Sequence, residues 1–512
     1  MPIRRRIGLA YLSGALPCFE DFGNLPTDLV REDGLVDGKP ASDVLDMLII
    51  PGGSLVESQS INYVISEEIL KMAKDKKFLL GICSGLQVLA KQTDVGRLST
   101  VPIIREGLGL IDAEFQPLIC TDQVKAQIVD KSFLSNDVGM EVSGFHCHTY
   151  GKVILHGDAK SILVSHIQHA NYRKAPQDLV SGIANKEGNV VGIFVHALLD
   201  QNPLIIEGIT KSLGINQLEL QEIRKVNAKL VLEMKSEIGI NTNIHPVSVA
   251  KSVPVMVLVT ALGSGSGKTF LVTGMAGALR KRGYNVGLIK LGGDVRDSVP
   301  ALYLVKEPMK SYSSIMISGS GWSSVHGAVE QACGVHDFLF VEGAMSAFTG
   351  LLNSKVNRPA STLEIAASLG VPVIVVVTCD KEGIEGGLVN VLNYVNVLKM
   401  LGVNPAGVIL NKMSTSYLTE EDMQTIKLAF ESVGVEFVGI VPSLKLEKRG
   451  MIPEVEICYE DFGSQAMDVV ERYINIDKLV NLAKPPRQIS VDYMAFVEKF
   501  KKLLLNYNGG FS

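Results

Sequence analysis

The chain has 512 residues, which is enough for two or three domains that each bury a core of their own. Its 49 basic and 54 acidic residues give a net charge of −5 without a long basic block, so we expect no nucleic-acid partner. No apolar run is long enough for a membrane span, and the seven scattered cysteines, none in a C-x-x-C pair, favour reduced thiols in a cytoplasm.

Short β-rich runs alternate with helical patterns up to about residue 213. In chain order we predict strands at 7–12, 46–50 and 77–82, with an amphipathic helix over 67–76. The last of these strands runs directly into Cys83, and the residues after it have helical spacing. Cys83 is therefore predicted at a strand-to-helix elbow, which exposes a nucleophile beside backbone N–H donors and where the helix N-terminus lowers the pKa of a thiol.

A cysteine nucleophile needs a base, and histidine is the usual one. His196 is the best placed of the nine histidines, because the apolar run 189–195 reads as a strand that delivers it to a sheet end. His146 and His148 are the other candidates. Any one of these histidines could be a structural imidazole, and Cys83 alone could be a small buried hydrophobe. The combination of the two residue types favours a nucleophile with its base.

Four segments resemble, in order, the landmarks of a class I glutamine amidotransferase domain of the cobyric acid synthase type. They are Leu48-Ile-Ile-Pro-Gly-Gly53, Gly81-Ile-Cys-Ser-Gly-Leu-Gln-Val-Leu89, Glu141-Val-Ser-Gly-Phe-His-Cys-His148 and Gly192-Ile-Phe-Val-His-Ala-Leu-Leu-Asp200. The resemblance implies that Cys83 attacks the side-chain amide of glutamine and that His196 acts first as base and then as acid. It also implies an oxyanion hole made by the N–H groups of Gly53 and Ser84.

The chain departs from most class I glutaminases at the position two residues after the histidine. Those enzymes have glutamate there, whereas this chain has Leu198. The cobyric acid synthase branch uses a Cys/His pair, with which this agrees. The group that orients His196 and the role of His148 are left open.

A polar, helical stretch follows the amidotransferase-like part. We interpret residues 216–252 as a linker, with a connecting helix and then a short extended segment broken at Gly239 and at 241–246. The simplest interpretation of the charged residues of this helix is that they form its solvent-exposed face.

A second pattern starts with a buried strand at 254–260, a glycine-rich turn, and a helix beginning near Phe270. Glycines in such a turn let backbone N–H groups approach a phosphate, the helix N-terminus adds its positive dipole end, Lys268 supplies a charge, and the Thr269 hydroxyl can bind Mg²⁺. The predicted ATP-binding loop consists of Gly263, Ser264, Gly265, Ser266, Gly267, Lys268 and Thr269. In the form A-x-G-x-G-x-G-K-T it resembles the loop of dethiobiotin synthetase and of the cobyrinic acid amidating enzymes.

Further strands are predicted at 286–290, 337–342, 371–378, 406–411 and 436–441, with helical stretches between them. This βαβ pattern predicts a mostly parallel sheet covered on both faces, in which ligands bind at the carboxyl ends of the strands.

Polar clusters follow several of these strands and resemble the ATP-dependent amidoligase domain of cobyrinic acid a,c-diamide synthase. The resemblance implies that Glu342 and Asp294 hold Mg²⁺ with Thr269, that Lys290 faces the transferring phosphate, and that Asn411 contacts adenine. Asp297 is as readily a helix cap as a functional acid. The family's proline before the first aspartate is Gly293 here, and the aromatic residue after it is Val295, so the acceptor site differs from the family pattern.

The predicted fold is α/β throughout. We predict an amidotransferase-like domain at 1–215, the linker at 216–252, a P-loop domain of the dethiobiotin synthetase kind at 253–485, and a C-terminal helix and tail at 486–512. The helix at 490–505 is predicted to pack on the domain rather than to bind a partner. The synthases named above carry the same two halves in the reverse order.

The two halves together predict a glutamine-dependent and ATP-dependent amidation of a carboxylate through an acyl phosphate, with ATP and Mg²⁺ as cofactors and a corrinoid or other acidic tetrapyrrole as acceptor. One alternative is a P-loop ATPase switch of the partitioning-protein kind with a sensing or inactive amidotransferase-like domain. Another is a dethiobiotin-like ligase without an ammonia donor, which leaves the first 213 residues without a role. The sequence predicts no membrane partner, and the oligomeric state is open, with a homodimer among the options.

Overall fold

The computed structural model describes residues 4–237, 253–353, 358–380, 383–414, 418–444, 459–487 and 489–506. Its residues divide into two compact units. Unit one consists mainly of Met1–Asn241, and unit two consists of most of the chain that follows.

Unit one contains short strands and helices in alternation. Its strands are Ile7–Ala10 (β1), Asp28–Val30 (β2), Leu35–Val36 (β3), Lys39–Pro40 (β4), Met47–Ile50 (β5), Phe78–Ile82 (β6), Ala90–Asp94 (β7), Ile104–Glu106 (β8), Ile111–Gln116 (β9), Gln123–Ile128 (β10), Glu141–Phe145 (β11), Lys152–Leu155 (β12), Lys160–Ala170 (β13), Arg173–Ala184 (β14) and Val190–Ile193 (β15). Its α-helices are Ala41–Val44 (α1), Tyr63–Lys74 (α2), Ser84–Leu89 (α3), Leu198–Gln201 (α4), Pro203–Leu213 (α5) and Gln217–Glu237 (α6).

In the described part of unit one the main sheet has the strand order β11-β10-β13-β14-β15-β6-β5-β1-β2. The strands from β15 to β2 are parallel, and those from β11 to β15 are antiparallel. Every residue of β1, β5 and β15 is buried, as expected for parallel strands covered on both faces. β6 and β15 are neighbours with Ile82 opposite Ile193, so the residues that follow these two strands meet at one edge of the sheet.

Helix α6 belongs to unit one. It buries Leu220, Ile223, Leu230 and Met234, and Asn227 Nδ2 donates a hydrogen bond to the carbonyl of Pro26 at 2.9 Å. The compact unit therefore extends beyond residue 215, through the helix that the sequence placed in a linker. The extended part of that predicted linker, 238–252, lies outside the described residues.

Unit two is built on one sheet with helices between its strands. Its strands are Val255–Ala261 (β16), Val286–Leu291 (β17), Ser314–Ile315 (β18), Phe338–Ser346 (β19), Val373–Thr378 (β20), Pro405–Met413 (β21) and Glu436–Pro442 (β22). Its α-helices are Lys268–Lys281 (α7), Val299–Val305 (α8), Val325–Ala332 (α9), Thr362–Leu369 (α10), Gly383–Met400 (α11), Glu420–Ser432 (α12), Tyr459–Tyr473 (α13), Ile476–Leu482 (α14) and Tyr493–Leu505 (α15).

The sheet of unit two has the order β18-β17-β19-β16-β20-β21-β22 among the described residues, and every pairing in it is parallel. The α/β fold and the parallel sheet predicted from the sequence are thus confirmed. The short strand β18 was not predicted. Phe496, Val497 and Phe500 of α15 are buried in the hydrophobic core of this unit, which confirms that the C-terminal helix is a packing helix.

Within the described ranges, none of the helices combines the length and the apolar character needed to traverse a lipid bilayer.

Candidate active site

Cys83 lies at the elbow between β6 and α3 that the sequence predicted. Its backbone has φ 53°, a left-handed conformation that is strained for a residue with a Cβ atom. A Cβ atom built on Gly81 would lie 2.5 Å from the carbonyl carbon of Gly85. The tight turn around the cysteine therefore requires glycine at position 81. The thiol is buried, with 7% of the residue exposed.

His196 follows β15 and is fixed by a backbone bridge to β11. Its N–H donates to the carbonyl of Phe145 at 2.8 Å, and the imidazole stacks on the Phe145 ring with centroids 5.3 Å apart. A Cβ atom built on Gly52 would lie 3.0 Å from Cε1 of His196 and 3.4 Å from Cβ of Cys83. Cys83 and His196, which are 113 positions apart in the chain, therefore lie against the same glycine.

Glu20 provides the orienting group of His196 that the sequence left unknown. Its Oε1 lies 2.5 Å from Nδ1 of His196, and its Oε2 accepts a hydrogen bond from the N–H of Ala197 at 2.8 Å. Both side chains of the Glu20–His196 pair are 2% exposed. Nε2 of His196 is buried and has no hydrogen-bond partner among the described residues, which leaves it available on the side of Cys83.

Glu20 was missed because it precedes His196 by 176 positions and stands in a segment without regular pattern. The available signal was an acid next to Phe19 in the otherwise apolar run 15–19. An acid that directly follows such a run is a candidate for burial with a partner.

The pKa of the Cys83 thiol differs from the prediction. Burial raises it well above the usual value, the nearby Cys147 thiol and Glu57 carboxyl raise it further, and the N–H of Ser84 offsets only part of this. The predicted lowering by the helix N-terminus is therefore wrong, because desolvation of the thiolate is the larger effect. The thiol is neutral until a base removes its proton.

Ser84 directly follows Cys83, and Gly53 directly follows Gly52, the glycine that lies against Cys83 and His196. Gly53 has φ 142°, and a Cβ atom there would lie 2.0 Å from the carbonyl oxygen of Gly14, so glycine is needed. The N–H of Ser84 interacts with the Cys83 sulfur. Their joint role as oxyanion donors stays a prediction.

His146 and His148 form a buried pair of their own. Nε2 of His148 lies 3.0 Å from Nδ1 of His146, and Nδ1 of His148 lies 3.3 Å from the carbonyl oxygen of Leu118. Burial, followed by the charge of His196, lowers the pKa of His146 to about 3. His146 is consequently a poor proton acceptor. The role of His196 as the base for Cys83 stays a prediction.

The glycine-rich loop of unit two joins β16 to α7. Lys268, 7% exposed, donates from Nζ to the carbonyl of Met345 at 2.9 Å, and burial lowers its pKa. Thr269 Oγ1 donates to Oε1 of Glu342 at 2.7 Å. Gly265 and Gly267 have φ of 73° and 83°, and no atom lies within 4 Å of a Cβ built on Gly265. The loop can therefore present its backbone to an anion without side chains in the way.

Lys290 connects two acids beside this loop. Its Nζ lies 2.9 Å from Oε1 of Glu342 and 2.6 Å from Oδ2 of Asp297. Burial alone would lower its pKa, but the charges of Glu342 and Asp297 raise it. Asp294, the predicted metal ligand, pairs through both oxygens with Arg296 at 2.9 and 3.0 Å. Asp297, which the sequence left open as a helix cap or a functional acid, contacts Lys290 of the Lys290–Glu342 pair.

Asn411 lies against the phosphate loop. Its Nδ2 donates to the carbonyl of Ser266 at 2.8 Å, and Nζ of the following Lys412 donates to the carbonyl of Gly265 at 2.8 Å. The predicted contact of Asn411 with adenine is neither supported nor opposed by these bonds. Lys412 follows a predicted strand in the sequence, but its support of the loop was not predicted.

Two family models match separate parts of the chain. Residues 14–204 match the CobB/CobQ-like glutamine amidotransferase domain, and residues 257–451 match the CobQ/CobB/MinD/ParA nucleotide binding domain. These ranges contain Cys83 and His196 in the first case and the glycine-rich loop in the second.

Several curated proteins are similar to parts of the chain. A cobyric acid synthase of Thermoanaerobacter is 33% identical over 34% of this chain and 36% of its own length. A cobyrinate a,c-diamide synthase of Streptococcus sanguinis is 30% identical over 45% of this chain and 50% of its own length. A hydrogenobyrinate a,c-diamide synthase of Mycobacterium bovis is 30% identical over 44% and 50%. The chain thus spans half or less of the length of these relatives.

Proposed function

Because the chain joins a CobB/CobQ-like glutamine amidotransferase domain to a CobQ/CobB/MinD/ParA nucleotide binding domain, we propose that it amidates a carboxylate with glutamine as nitrogen donor and ATP as energy source. The observation that carries the proposal is the arrangement of His196. Its Nδ1 contacts Glu20, and its Nε2 lies beside Cys83 without a hydrogen-bond partner among the described residues. Such an arrangement supports nucleophilic chemistry.

In the proposed glutaminase step, Nε2 of His196 takes the proton of the Cys83 thiol as the sulfur attacks the amide carbon. The N–H groups of Gly53 and Ser84 stabilise the oxyanion. The proton on His196 then goes to the leaving ammonia as the C–N bond breaks, which gives a thioester. Water, deprotonated by His196, hydrolyses the thioester to glutamate and restores the thiol.

The ATP half would hold Mg²⁺ through the Thr269 hydroxyl and the Glu342 carboxylate. The Thr269 hydroxyl already contacts the Glu342 carboxylate, and both offer the hard oxygen donors that suit Mg²⁺. The ion would take its other ligands from phosphates and water. Among the described residues no group of three or more His, Cys, Asp or Glu side chains could hold a metal ion without such additional ligands. When bound, Mg²⁺ would neutralise charge on the phosphates.

Lys268 and Lys290 would act on the transferring phosphoryl group. Lys268 would leave the carbonyl of Met345 for the phosphates, and Lys290 would stabilise charge from its place between Glu342 and Asp297. The acceptor carboxylate attacks the γ-phosphorus of ATP, so that ADP leaves and an acyl phosphate forms. Ammonia then displaces phosphate and loses a proton, which gives the carboxamide. Asp294, as a third magnesium ligand, would have to leave Arg296.

The names of the relatives suggest the acceptor. They are synthases of cobyric acid and of the a,c-diamides of cobyrinate and hydrogenobyrinate. We therefore propose a corrinoid carboxylate as acceptor, with a related acidic tetrapyrrole as the nearest alternative. A P-loop switch with an inactive amidotransferase-like domain is the competing function, and it gives no reason for a buried Glu20–His196 pair next to Cys83.

The test measures glutamate formation and ATP hydrolysis with glutamine, Mg-ATP and a panel of corrinoids. We expect glutamate formation that is lost in Cys83→Ala, and ATP turnover that rises with one acceptor and is lost in Lys268→Ala. ATP hydrolysis with glutamine untouched under every condition would contradict the amidation and favour the switch.

A further inference from the structure

Glu57 lies on the turn that follows the predicted oxyanion glycine. After β5 and Gly53 the chain forms a compact turn in which the N–H of Ser58 donates to the carbonyl of Ser54 at 2.8 Å and the N–H of Ser60 donates to the carbonyl of Leu55 at 3.2 Å. Glu57 stands in the middle of this turn, four residues after Gly53. The proposed catalytic step assigns no role to its carboxylate.

One oxygen of this carboxylate is enclosed and unpaired. Oε2 of Glu57 is buried and has no hydrogen-bond partner among the described residues. Burial raises the pKa of Glu57 to about 7, and the backbone N–H of Glu57 itself offsets part of this. Enclosing a carboxylate oxygen without a partner is costly, and such groups are usually completed by a bound ion, water or ligand.

The turn that carries Glu57 begins beside the nucleophile. A Cβ atom built on Gly52, five residues before Glu57, would lie 3.4 Å from Cβ of Cys83. The charge of the Glu57 carboxylate also raises the pKa of the Cys83 thiol. Glu20 also acts on Cys83, but both of its oxygens are engaged, one with Nδ1 of His196 and one with the N–H of Ala197. Of these two carboxylates, Glu57 is therefore the one with an oxygen free for a ligand beside the sulfur.

We propose that Glu57 binds the α-ammonium group of the glutamine whose side-chain amide is attacked by Cys83. The proposal rests on the glutaminase function proposed above and adds a specificity subsite to it. Glutamine carries a cation three carbon atoms from its amide carbon, and an enclosed carboxylate beside the nucleophile is the chemical partner that such a cation needs. Oε2 of Glu57 is not paired with a lysine or arginine among the described residues, so it is available to the ammonium group of the substrate.

The proposal has a pH signature. Glu57 accepts an ammonium group only when it is ionised, and its pKa of about 7 makes it largely protonated in more acidic solution. The KM for glutamine is thus expected to rise as pH falls below about 7, since the proton and the ammonium compete for one carboxylate. The titratable group that Glu57 acts on is the Cys83 thiol. Within the described ranges no charged side chain shifts the pKa of Glu57.

The experiment compares glutamine with glutaramate, the same amide without the α-amino group, on the full chain. The variant is Glu57→Gln, which keeps the shape of the side chain, and the matched control is Gln59→Ala, an exposed neighbour on the same turn. We expect Glu57→Gln to raise the KM for glutamine about 10- to 100-fold, with kcat and the rate on glutaramate little changed. Gln59→Ala is expected to leave both substrates unaffected.

The outcomes separate this inference from the proposed function. If the unmodified chain hydrolyses glutamine in a Cys83-dependent way but Glu57→Gln keeps its KM, or loses kcat equally on both amides, the subsite is refuted and the glutaminase stands. If the unmodified chain hydrolyses neither amide, the proposed function fails first. Should Glu57→Gln not fold, the ratio of kcat/KM for glutamine and glutaramate in the unmodified chain decides, since the proposal requires that ratio to fall as pH falls through about 7.

Discussion

The histidine of a nucleophile pair works only in one tautomer. Nε2 must be free to accept the thiol proton, so the ring proton must sit on Nδ1, and a carboxylate at Nδ1 enforces this. Glu20 holds that position in this chain, at 2.5 Å, and its second oxygen is fixed by the N–H of Ala197. The orienting acid therefore comes from the N-terminal segment, while Leu198 occupies the place where most class I glutaminases have it.

Glu20→Gln tests this role. A glutamine at position 20 can donate its amide proton to Nδ1, which favours the tautomer with the proton on Nε2 and leaves no acceptor for the Cys83 proton. We expect kcat for glutamine hydrolysis to fall roughly 10²-fold or more with KM little changed. The measurement is the pH profile of kcat, and Asp21→Asn, a change of the exposed neighbouring acid, is the control. Full activity of Glu20→Gln at neutral pH would show that the Cys83–His196 pair needs no orienting acid.

In unit two, Asp294 and Asp297 are both candidates for a role in ATP turnover. Asp297 contacts Lys290 at 2.6 Å, whereas Asp294 is paired with Arg296. We expect Asp297→Asn to lower ATP turnover more than Asp294→Asn. Asp297 is one of the two acids that raise the pKa of Lys290, so its removal makes the charged form of Lys290 less stable. The measurement is ATP hydrolysis across a magnesium titration. A larger effect of Asp294→Asn, with a raised magnesium requirement, would restore Asp294 as the metal ligand.

At the scale of elements, the segment before β2 presents Glu20 to His196. Phe22, Gly23 and Asn24 all have positive φ, at 48°, 65° and 56°, which is a strained path for the two residues that carry side chains. Asp200 of α4 holds this path, since its two oxygens accept the N–H groups of Gly23 at 2.7 Å and of Asp21 at 3.0 Å. Burial, followed by the charge of Glu20, raises the pKa of Asp200 to about 6.

Asp200→Asn is expected to loosen the segment. An asparagine can accept only one of the two N–H groups, and an unpaired buried donor costs about 1–3 kcal/mol. We expect a lower melting temperature and a reduced kcat for glutamine hydrolysis, with nucleotide binding by unit two unchanged. Glu207→Gln, an exposed acid on the neighbouring helix α5, is the control for charge. Equal melting temperatures and rates for Asp200→Asn and the unmodified chain would mean that other contacts hold the segment.

The elements that the sequence predicted are those with local patterns. The strands of unit two, such as β16 and β20, are short apolar runs between turn signals, and Cys83 was found because its strand, elbow and helix are consecutive. Glu20 and Asp200 were not found, because their partners lie far away in sequence. Glu57 was not found because no periodicity or motif marks it. The pKa of Cys83 was mispredicted for the same reason, since burial comes from tertiary packing and outweighs the local helix end.

At the scale of the whole molecule, each unit has the groups for one half of an amidation. Unit one has a nucleophile, a base with an orienting acid, and backbone donors beside the sulfur. Unit two has a glycine-rich loop, two buried lysines and a hydroxyl–carboxylate pair suited to Mg²⁺. In the proposed amidation, unit one supplies only ammonia to the reaction of unit two, so the two half-reactions are chemically separable.

Ammonium salts should therefore replace glutamine in a defined way. With the acceptor identified from the corrinoid panel and Mg-ATP present, Cys83→Ala should form no product from glutamine. It should still incorporate nitrogen-15 from labelled ammonium, because ammonia attacks the acyl phosphate whatever its source. Lys268→Ala should form no product from either donor while still hydrolysing glutamine. The measurement is mass spectrometry of the product together with glutamate release. If Cys83→Ala binds ATP but uses neither donor, Cys83 serves the ligase reaction itself, and the separation of ammonia release from acyl phosphate chemistry does not hold. If Lys268→Ala amidates with ammonium, the glycine-rich loop is not where the carboxylate is activated.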